Sequence, residues 1–150
     1  MTQPATQPLT LSIERLLDAD LERVFAALTD RAQVAQWYAP SDEYTVRVHE
    51  WDCRPGGRFR VSMHHTGGAV HTSVGAFREV VPNQRLVQTF AWEGQEGMDT
   101  LLTLTLQQTG QQTRLVLTHA GFPNQGARDD HHKGWTGCLA RLQASLGSPS

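Results

Sequence analysis

Apolar and polar residues alternate along seven segments of the chain. In the first segment, residues 9–17, Leu9, Leu11 and Ile13 fall on one face. A period of two is typical of a strand that buries one face. Six further segments of this kind lie between residues 44 and 119, separated by short turns rich in turn-forming residues. Strands joined by short turns pair with their neighbours, so the pattern predicts an antiparallel sheet of seven strands.

Two short helices are predicted between the first strand and the other six. Residues 19–28 carry apolar side chains at helical spacing, and Asp18 is a candidate N-cap. Asp30 is a candidate N-cap for a second helix over residues 31–38. This helix must end before Pro40, because the residue before a proline disfavours helical geometry.

A longer stripe with helical spacing runs from about Gly126 to the end of the chain. Its apolar members recur at i, i+4, i+7 and i+11, and they are Trp135, Leu139, Leu142 and Leu146. The stripe predicts a helix of about five turns with one buried face. Gly134 and Gly137 lie in this helix, where each glycine costs about 0.5–1 kcal/mol relative to alanine. They indicate either that a strand or a ligand approaches the helix closely, or that the helix bends.

The element order is one strand, two helices, six strands and a long helix, which indicates an α+β protein. The sheet has one face to bury and the last helix has one stripe to bury. A curved seven-stranded antiparallel sheet wrapped around the C-terminal helix satisfies both needs. Pairing the first strand with the sheet is expected to close one edge. Residues 9–147 are expected to form this single domain, and residues 1–8 a disordered tail.

The composition and charge fit a globular protein of one domain. The 150 residues are 39% hydrophobic and 19% charged, with a formal net charge of −2. This balance favours neither nucleic acid nor an anionic membrane as a partner, and no apolar stretch approaches the roughly 20 residues of a membrane span. The first ten residues lack the pattern of a signal peptide, and Cys53 and Cys138 are expected to be reduced thiols. We therefore predict a cytoplasmic protein.

Six segments together carry a resemblance to a known family. They are ADLERVFAALTD, WYAP, DCRPGGRFRVSM, GAFREVVPNQRLVQTFAW, TRLVLTHAGF and HHKGWTGCLARLQASL. In this order and at this spacing, the chain from about Leu9 to Leu146 resembles the family similar to the C-terminal domain of the Hsp90 ATPase activator. That family lies within the START and Bet v 1-like (SRPBCC) group. Residues 37–40 read Trp-Tyr-Ala-Pro where the family often has Trp-Trp-Gly-Pro, so the hydroxyl of Tyr38 is expected to reshape the mouth of any cavity.

The resemblance implies the helix-grip fold and a cavity between the terminal helix and the sheet. Members of the wider group use this cavity for lipids, hormones, polyketides and other apolar molecules, and some are cyclases or hydrolases. Co-chaperone members stimulate the Hsp90 ATPase, and those carry a further N-terminal domain. Three interpretations follow: a binding protein for a small apolar or amphipathic ligand, an Hsp90-activator-like interaction module, and an enzyme that uses the same cavity. The first is preferred, with the protein as a monomer or homodimer.

The candidate ligand-binding residues are apolar or aromatic side chains on the predicted concave side, with one histidine. They are Trp37, Met63, His65, Phe77, Phe90, Trp92, Trp135 and Leu139. Aromatic and methionine side chains with a few polar groups are typical of a pocket for a small molecule. The same residue types also fill ordinary cores, so packing is the competing interpretation for each of them.

The sequence predicts no catalytic residues, no metal site and no cofactor. His64 and His65 are adjacent on a predicted strand, where neighbours point to opposite faces. His131 and His132 are adjacent on the predicted helix, where neighbours diverge by about 100°. Neither pair therefore supplies two ligands to one metal. A site built from His65, His119 and His131 is the remaining metal interpretation. For the enzyme interpretation, His65 or His119 would face the cavity beside a carboxylate or an arginine and act as acid or base.

Overall fold

The computed structural model describes residues 9–94 and 99–146, and it has the predicted order of elements. The ten elements are β1 (Leu9–Leu17), α1 (Leu21–Thr29), α2 (Arg31–Trp37), β2 (Tyr44–Trp51), β3 (Arg58–His65), β4 (Val70–Val81), β5 (Arg85–Trp92), β6 (Thr100–Thr109), β7 (Gln112–Phe122) and α3 (Gln125–Leu146). The α+β helix-grip architecture is therefore confirmed. The tail predicted over residues 1–8 lies outside the described residues, as does residue 147.

The seven strands form one open antiparallel sheet in the order β1-β7-β6-β5-β4-β3-β2. β1 pairs with β7, and Leu11 lies opposite His119. β1 thus covers the edge of β7, as expected, and becomes an edge itself, with β2 as the other. The pairing of β2 with β3 shifts register between Val48 and Glu50, and that of β4 with β5 shifts between Phe77 and Glu79. Such irregularities bend strands, which suits a sheet that curves around a helix.

The two short helices begin at aspartates, one of which differs from the prediction. Asp30 caps α2 and accepts a hydrogen bond from the Gln33 backbone N–H at 3.2 Å, as predicted. The N-cap of α1 is Asp20, whose carboxylate accepts from the Arg23 N–H at 2.9 Å. The prediction of Asp18 was wrong, because the chain leaves β1 through a two-residue bend before the helix begins.

α3 lies across the concave face of the sheet and buries the predicted stripe. Trp135, Leu139, Leu142 and Leu146 are all buried, and they join one core with inward side chains from the sheet and the short helices. Burial of an aliphatic or aromatic side chain stabilises a fold by about 1.5–3 kcal/mol, so this stripe anchors the helix. Within residues 9–94 and 99–146, no helix is long and apolar enough to cross a membrane.

Candidate functional site

A cavity of about 510 Å³ opens between α3 and strands β2 to β5, and we call it the outer cavity. Its volume falls within the range of about 300–1,000 Å³ that is typical of sites for small molecules. The residues that line it are Tyr38, Pro40, Tyr44, Met63, His71, Phe90, Trp92, Asp130, His131, Gly134, Trp135 and Cys138.

The sheet wall of the outer cavity is built mainly by two aromatic residues of β5. Phe90 and Trp92 are two positions apart, so their side chains share the concave face. Their rings meet edge to face with centroids 5.2 Å apart. On β3 and β4, Met63 lies directly opposite His71. The His71 ring meets the Trp92 ring edge to face, with centroids 6.2 Å apart. Aromatic pairs in this geometry hold each other in place, which gives the wall a fixed shape.

The helix wall follows from the spacing of residues along α3. Asp130, Gly134 and Cys138 are four residues apart and therefore lie on one side of the helix. A Cβ atom added to Gly134 would meet no heavy atom within 4 Å, so this glycine leaves open space at the cavity. At Gly137 a Cβ atom would lie 2.2 Å from the Pro40 carbonyl oxygen. Gly137 therefore permits close approach of the backbone, and Gly134 leaves room in the cavity.

Two tryptophans bridge the sheet and the helix by donating to histidines. The Trp92 indole N–H donates to His131 Nε2 over 3.0 Å, and His131 Nδ1 lies 2.7 Å from the Ala127 carbonyl oxygen. An indole can only donate, so Nε2 is the acceptor and Nδ1 carries the proton that Ala127 accepts. This arrangement fixes His131 as the neutral Nδ1–H tautomer.

A second bridge runs in the opposite direction, from helix to sheet. The Trp135 indole donates to His119 Nδ1 over 2.9 Å, and His119 Nε2 lies 2.6 Å from Thr100 Oγ1. Thr100 in turn donates to the Phe90 carbonyl oxygen over 2.9 Å. Because Nδ1 is an acceptor, His119 holds its proton on Nε2 and donates it to Thr100. Burial, with a smaller effect of nearby His131, lowers the pKa of His119 to about 3.

These bridges determine which chemistry the outer cavity offers. Both indole N–H groups are already bonded, so Trp92 and Trp135 present ring surface to the cavity. His119 is fully buried and does not line the cavity, which leaves it no path to act on a ligand there. Burial raises the pKa of the Cys138 thiol to about 12, so this cavity residue is protonated at neutral pH and is a poor nucleophile. The arrangement suits binding of an apolar group.

The inner end of the outer cavity is formed by Tyr38 and Trp135, whose rings meet edge to face at 6.0 Å. The Tyr38 hydroxyl lies 3.2 Å from Ser73 Oγ, and burial raises the pKa of Tyr38 well above its usual value. Tyr38 and Trp135 also line a second, much smaller space of about 10 Å³, which we call the inner chamber. The two residues therefore stand as a partition between the two spaces.

Four of the eight predicted ligand-binding residues lie together around the outer cavity. They are Met63, Phe90, Trp92 and Trp135. Trp37 and Leu139 line the inner chamber instead. Both are buried in the core, and the Trp37 indole donates to the Ala27 carbonyl oxygen over 2.8 Å.

The structure places the other two predicted residues away from both spaces. His65 ends β3, where its ring contacts Tyr44 at 4.9 Å and its Nε2 lies 3.4 Å from a Glu43 carboxylate oxygen. Phe77 packs against Trp51, with ring centroids 5.1 Å apart, in a separate aromatic cluster of the core. His65 therefore belongs to the rim of the sheet, and Phe77 belongs to the core.

The structure does not bring the three candidate metal ligands, His65, His119 and His131, together into one site. His119 and His131 lie close together, with ring centroids 5.4 Å apart, but both are engaged by indole donors. His65 pairs with Glu43 at the end of β3. Over the part of the chain that the structure describes, no group of three His, Cys, Asp or Glu residues could hold a metal ion.

Sequence reasoning missed several lining residues, and two of them had left a signal. Tyr38 was recognised as a change at the cavity mouth, and Gly134 as a point of close approach by a ligand or strand. His71 and Asp130 are exposed polar residues at the rim, and their pattern resembles that of any solvated surface. Only the position of α3 over the sheet brings them to the same opening.

The fold agrees with comparison to known proteins. The family model described as "Activator of Hsp90 ATPase homolog 1-like protein" matches residues 18–147. The chain belongs to this family. The match includes both short helices, strands β2 to β7 and α3, so it covers nearly all of the structure that builds the outer cavity.

Solved structures with similar folds come from several bacteria. A protein from Chromobacterium violaceum is 27% identical, with a TM-score of 0.85 over 93% of this chain and 98% of its own. A member of the same family from Silicibacter pomeroyi is 25% identical, with a TM-score of 0.83 over 92% of this chain and 97% of its own. A protein from Nitrosomonas europaea is 27% identical, with a TM-score of 0.75 over 92% and 94%. Among curated proteins, none matches this chain.

Proposed function

We propose that the protein binds a small apolar or amphipathic molecule in the outer cavity. The observation that carries the proposal is a space of about 510 Å³ walled by Phe90, Trp92 and Trp135. The indole N–H groups of both tryptophans are already bonded within the protein. Such walls offer a ligand apolar contact, and their indole N–H groups are not available to bond it. Burial of apolar ligand surface against them supplies a favourable free energy of about 25 cal/mol per Å².

The distribution of polar groups supports an amphipathic ligand. Tyr38, Phe90 and Trp135 are buried at the inner end, whereas His71 and Asp130 are exposed at the rim. A ligand that inserts its apolar part and leaves a polar part near the rim satisfies both regions. This orientation avoids the cost of burying a polar group without a partner.

Filling the outer cavity tests this proposal directly. Gly134→Leu adds a side chain where no heavy atom lies within 4 Å of the Cβ position, and it removes a glycine from a helix. The matched control is Ala140→Leu, which adds a similar side chain on the exposed side of the same helix. The assay is titration with N-phenyl-1-naphthylamine, a neutral apolar molecule whose fluorescence rises on leaving water.

We expect the Gly134→Leu variant to bind this molecule at least tenfold more weakly than the wild type and to keep the thermal stability of the wild type. Ala140→Leu should bind as the wild type does. Equal affinity in all three proteins, or no saturable binding to the wild type, would contradict the proposal.

The family itself supports a second candidate, an interaction with an Hsp90-type chaperone. Its support is the family match over residues 18–147. The test is the ATPase rate of a bacterial Hsp90 with the protein added at micromolar concentration. A saturable increase in rate supports this candidate, and an unchanged rate argues against it. Comparison with Gly134→Leu then shows whether any such effect depends on the outer cavity.

A further inference from the structure

Gln88 is a buried polar residue that the proposed site does not use. It lies on β5 with 2% of its surface exposed, between Phe77 and Leu102 on the neighbouring strands. Its Nε2 is buried and has no hydrogen-bond partner among the residues that the structure describes. A buried donor left without an acceptor lowers stability, so native proteins rarely keep one without a reason.

The inner chamber is the space that this amide faces. Apart from Gln88 and Tyr38, it is lined by apolar or indole-bearing side chains: Leu28, Trp37, Trp51, Leu86, Leu102, Leu104, Leu117, Trp135 and Leu139. The Trp37 and Trp51 indoles already donate to the backbone carbonyls of Ala27 and Thr29. Gln88 therefore brings an unpartnered donor to the wall of an apolar space that holds about one water-sized group.

The inner chamber and the outer cavity share two lining residues. Tyr38 and Trp135 line both spaces, and their rings are 6.0 Å apart. A molecule held in the outer cavity reaches the chamber by parting these two rings. Parting the rings exchanges their mutual contact for contact with the ligand. Their side chains make one hydrogen bond each, to Ser73 and His119 respectively.

We propose that the ligand projects a carbonyl oxygen between Tyr38 and Trp135 and accepts a hydrogen bond from Gln88 Nε2. This inference rests on the proposed function and adds the chemical class of the ligand's inserted part: a ketone, ester or similar neutral carbonyl group on an apolar body. The carbonyl oxygen finds its partner in Gln88, and any further polar group of the ligand stays near the rim. A carboxylate is disfavoured, because no cationic side chain lines the inner chamber and a buried anion without a partner is costly. The small volume also favours a single oxygen over a larger head group.

Two isosteric molecules test the inference. 2-Octanone carries a carbonyl group, and 2-methyl-1-octene has a methylene group in its place, so the two differ in the ability to accept a hydrogen bond. Their dissociation constants are measured by NMR titration for the wild type and for Gln88→Met, which keeps the side chain unbranched and similar in length. Gln88→Leu is a second variant.

We expect the ratio of the two dissociation constants to shift by about tenfold against the ketone in both variants, as loss of one hydrogen bond predicts. In the wild type, the side-chain ¹⁵N–¹H₂ signal of Gln88 should move with 2-octanone and stay unchanged with 2-methyl-1-octene. This signal decides the matter even if a variant does not fold. Both variants should also melt at a higher temperature, because they lack the unpartnered donor.

Three results would overturn the inference. An unchanged ratio, with both molecules bound, would reject Gln88 as a contact and leave the proposed function intact. A Gln88 amide that shows a persistent water contact and ignores the ketone would assign the chamber to a structural water. Failure of the wild type to bind either molecule would reject the proposed function together with this inference.

Discussion

His119 is expected to make the stability of the fold depend on pH between 7 and 5. It is fully buried, accepts from the Trp135 indole and donates to Thr100, and the first of these bonds requires the neutral ring. The other titratable ring beside it is His131 of α3, 5.4 Å away between ring centroids, which adds a smaller effect that also lowers the pKa of His119. Protonation of His119 would place a positive charge in the core and a proton on Nδ1, facing the indole donor.

The magnitude follows from the difference between the folded and unfolded pKa of His119. The pKa is lowered from 6.5 to about 3 on folding, so the unfolded chain takes up a proton as pH falls below 6.5 and the folded protein does not. Stability from the neutral ring is therefore complete above pH 6.5 and is lost as pH falls toward 3. The loss is about 1.4 kcal/mol per pH unit in this window, or about 2 kcal/mol between pH 7 and 5.

The assay is urea unfolding at pH 7.0, 6.0 and 5.0 for the wild type and for His119→Gln. Carboxyl groups add little in this range, because Glu14 and Glu93, whose pKa values are lowered by arginine partners, lose stability chiefly below the unfolded value of 4.5. Between pH 7 and 5, the free energy of unfolding of the variant should fall by about 2 kcal/mol less than that of the wild type. Thr100→Val is the matched control: it weakens the network at every pH but keeps the buried histidine and hence the slope.

A result in which His119→Gln and the wild type share the same pH slope would refute this reasoning. It would mean that His119 is accessible to protons in the folded protein, or that the ring is not held by Trp135 and Thr100. Loss of the slope in Thr100→Val would instead assign the effect to the hydrogen bond and not to burial.

Two further predictions concern the helix and its bridges to the sheet. Gly137→Ala should lower Tm relative to Gly134→Ala, because the added methyl lies 2.2 Å from the Pro40 oxygen and overpacking typically costs about 1–3 kcal/mol; equal Tm values in a thermal melt would contradict the close contact. Trp92→Phe should lower the unfolding free energy by about 1 kcal/mol, because it removes the donor to His131 Nε2. The ¹⁵N shift of that nitrogen should change in the same variant, and an unchanged shift would show that the hydrogen bond is absent in solution.

The fold could be predicted from the sequence because its signals are local. Alternation identifies a strand with one buried face, and the stripe that includes Trp135 and Leu142 identifies the buried side of the helix. The helix start at Asp20 was missed in favour of Asp18, because both aspartates precede the same apolar pattern. Only the path of the chain leaving β1 distinguishes them.

The candidate site could be predicted only in part, because a cavity depends on what packs against each residue. Trp37 and Trp135 are both helical aromatics, yet one fills the core and the other also lines the outer cavity. Phe77 follows the strand alternation and is buried, but its ring packs against Trp51 and Phe59 and does not line the outer cavity. His65 lies on the same strand face as Met63 and is drawn to Glu43 at the strand end. Such differences arise from contacts between distant segments.

The most direct test of the central claim is an NMR titration of ¹⁵N-tryptophan- and ¹³C-methionine-labelled protein with 2-octanone. If the outer cavity is the binding site, the indole signals of Trp92 and Trp135 and the methyl signal of Met63 should shift together and saturate with one dissociation constant. Absence of saturable shifts at millimolar 2-octanone would contradict the claim. Saturable shifts confined to the indoles of Trp37 and Trp51, which do not line the outer cavity, would contradict it equally.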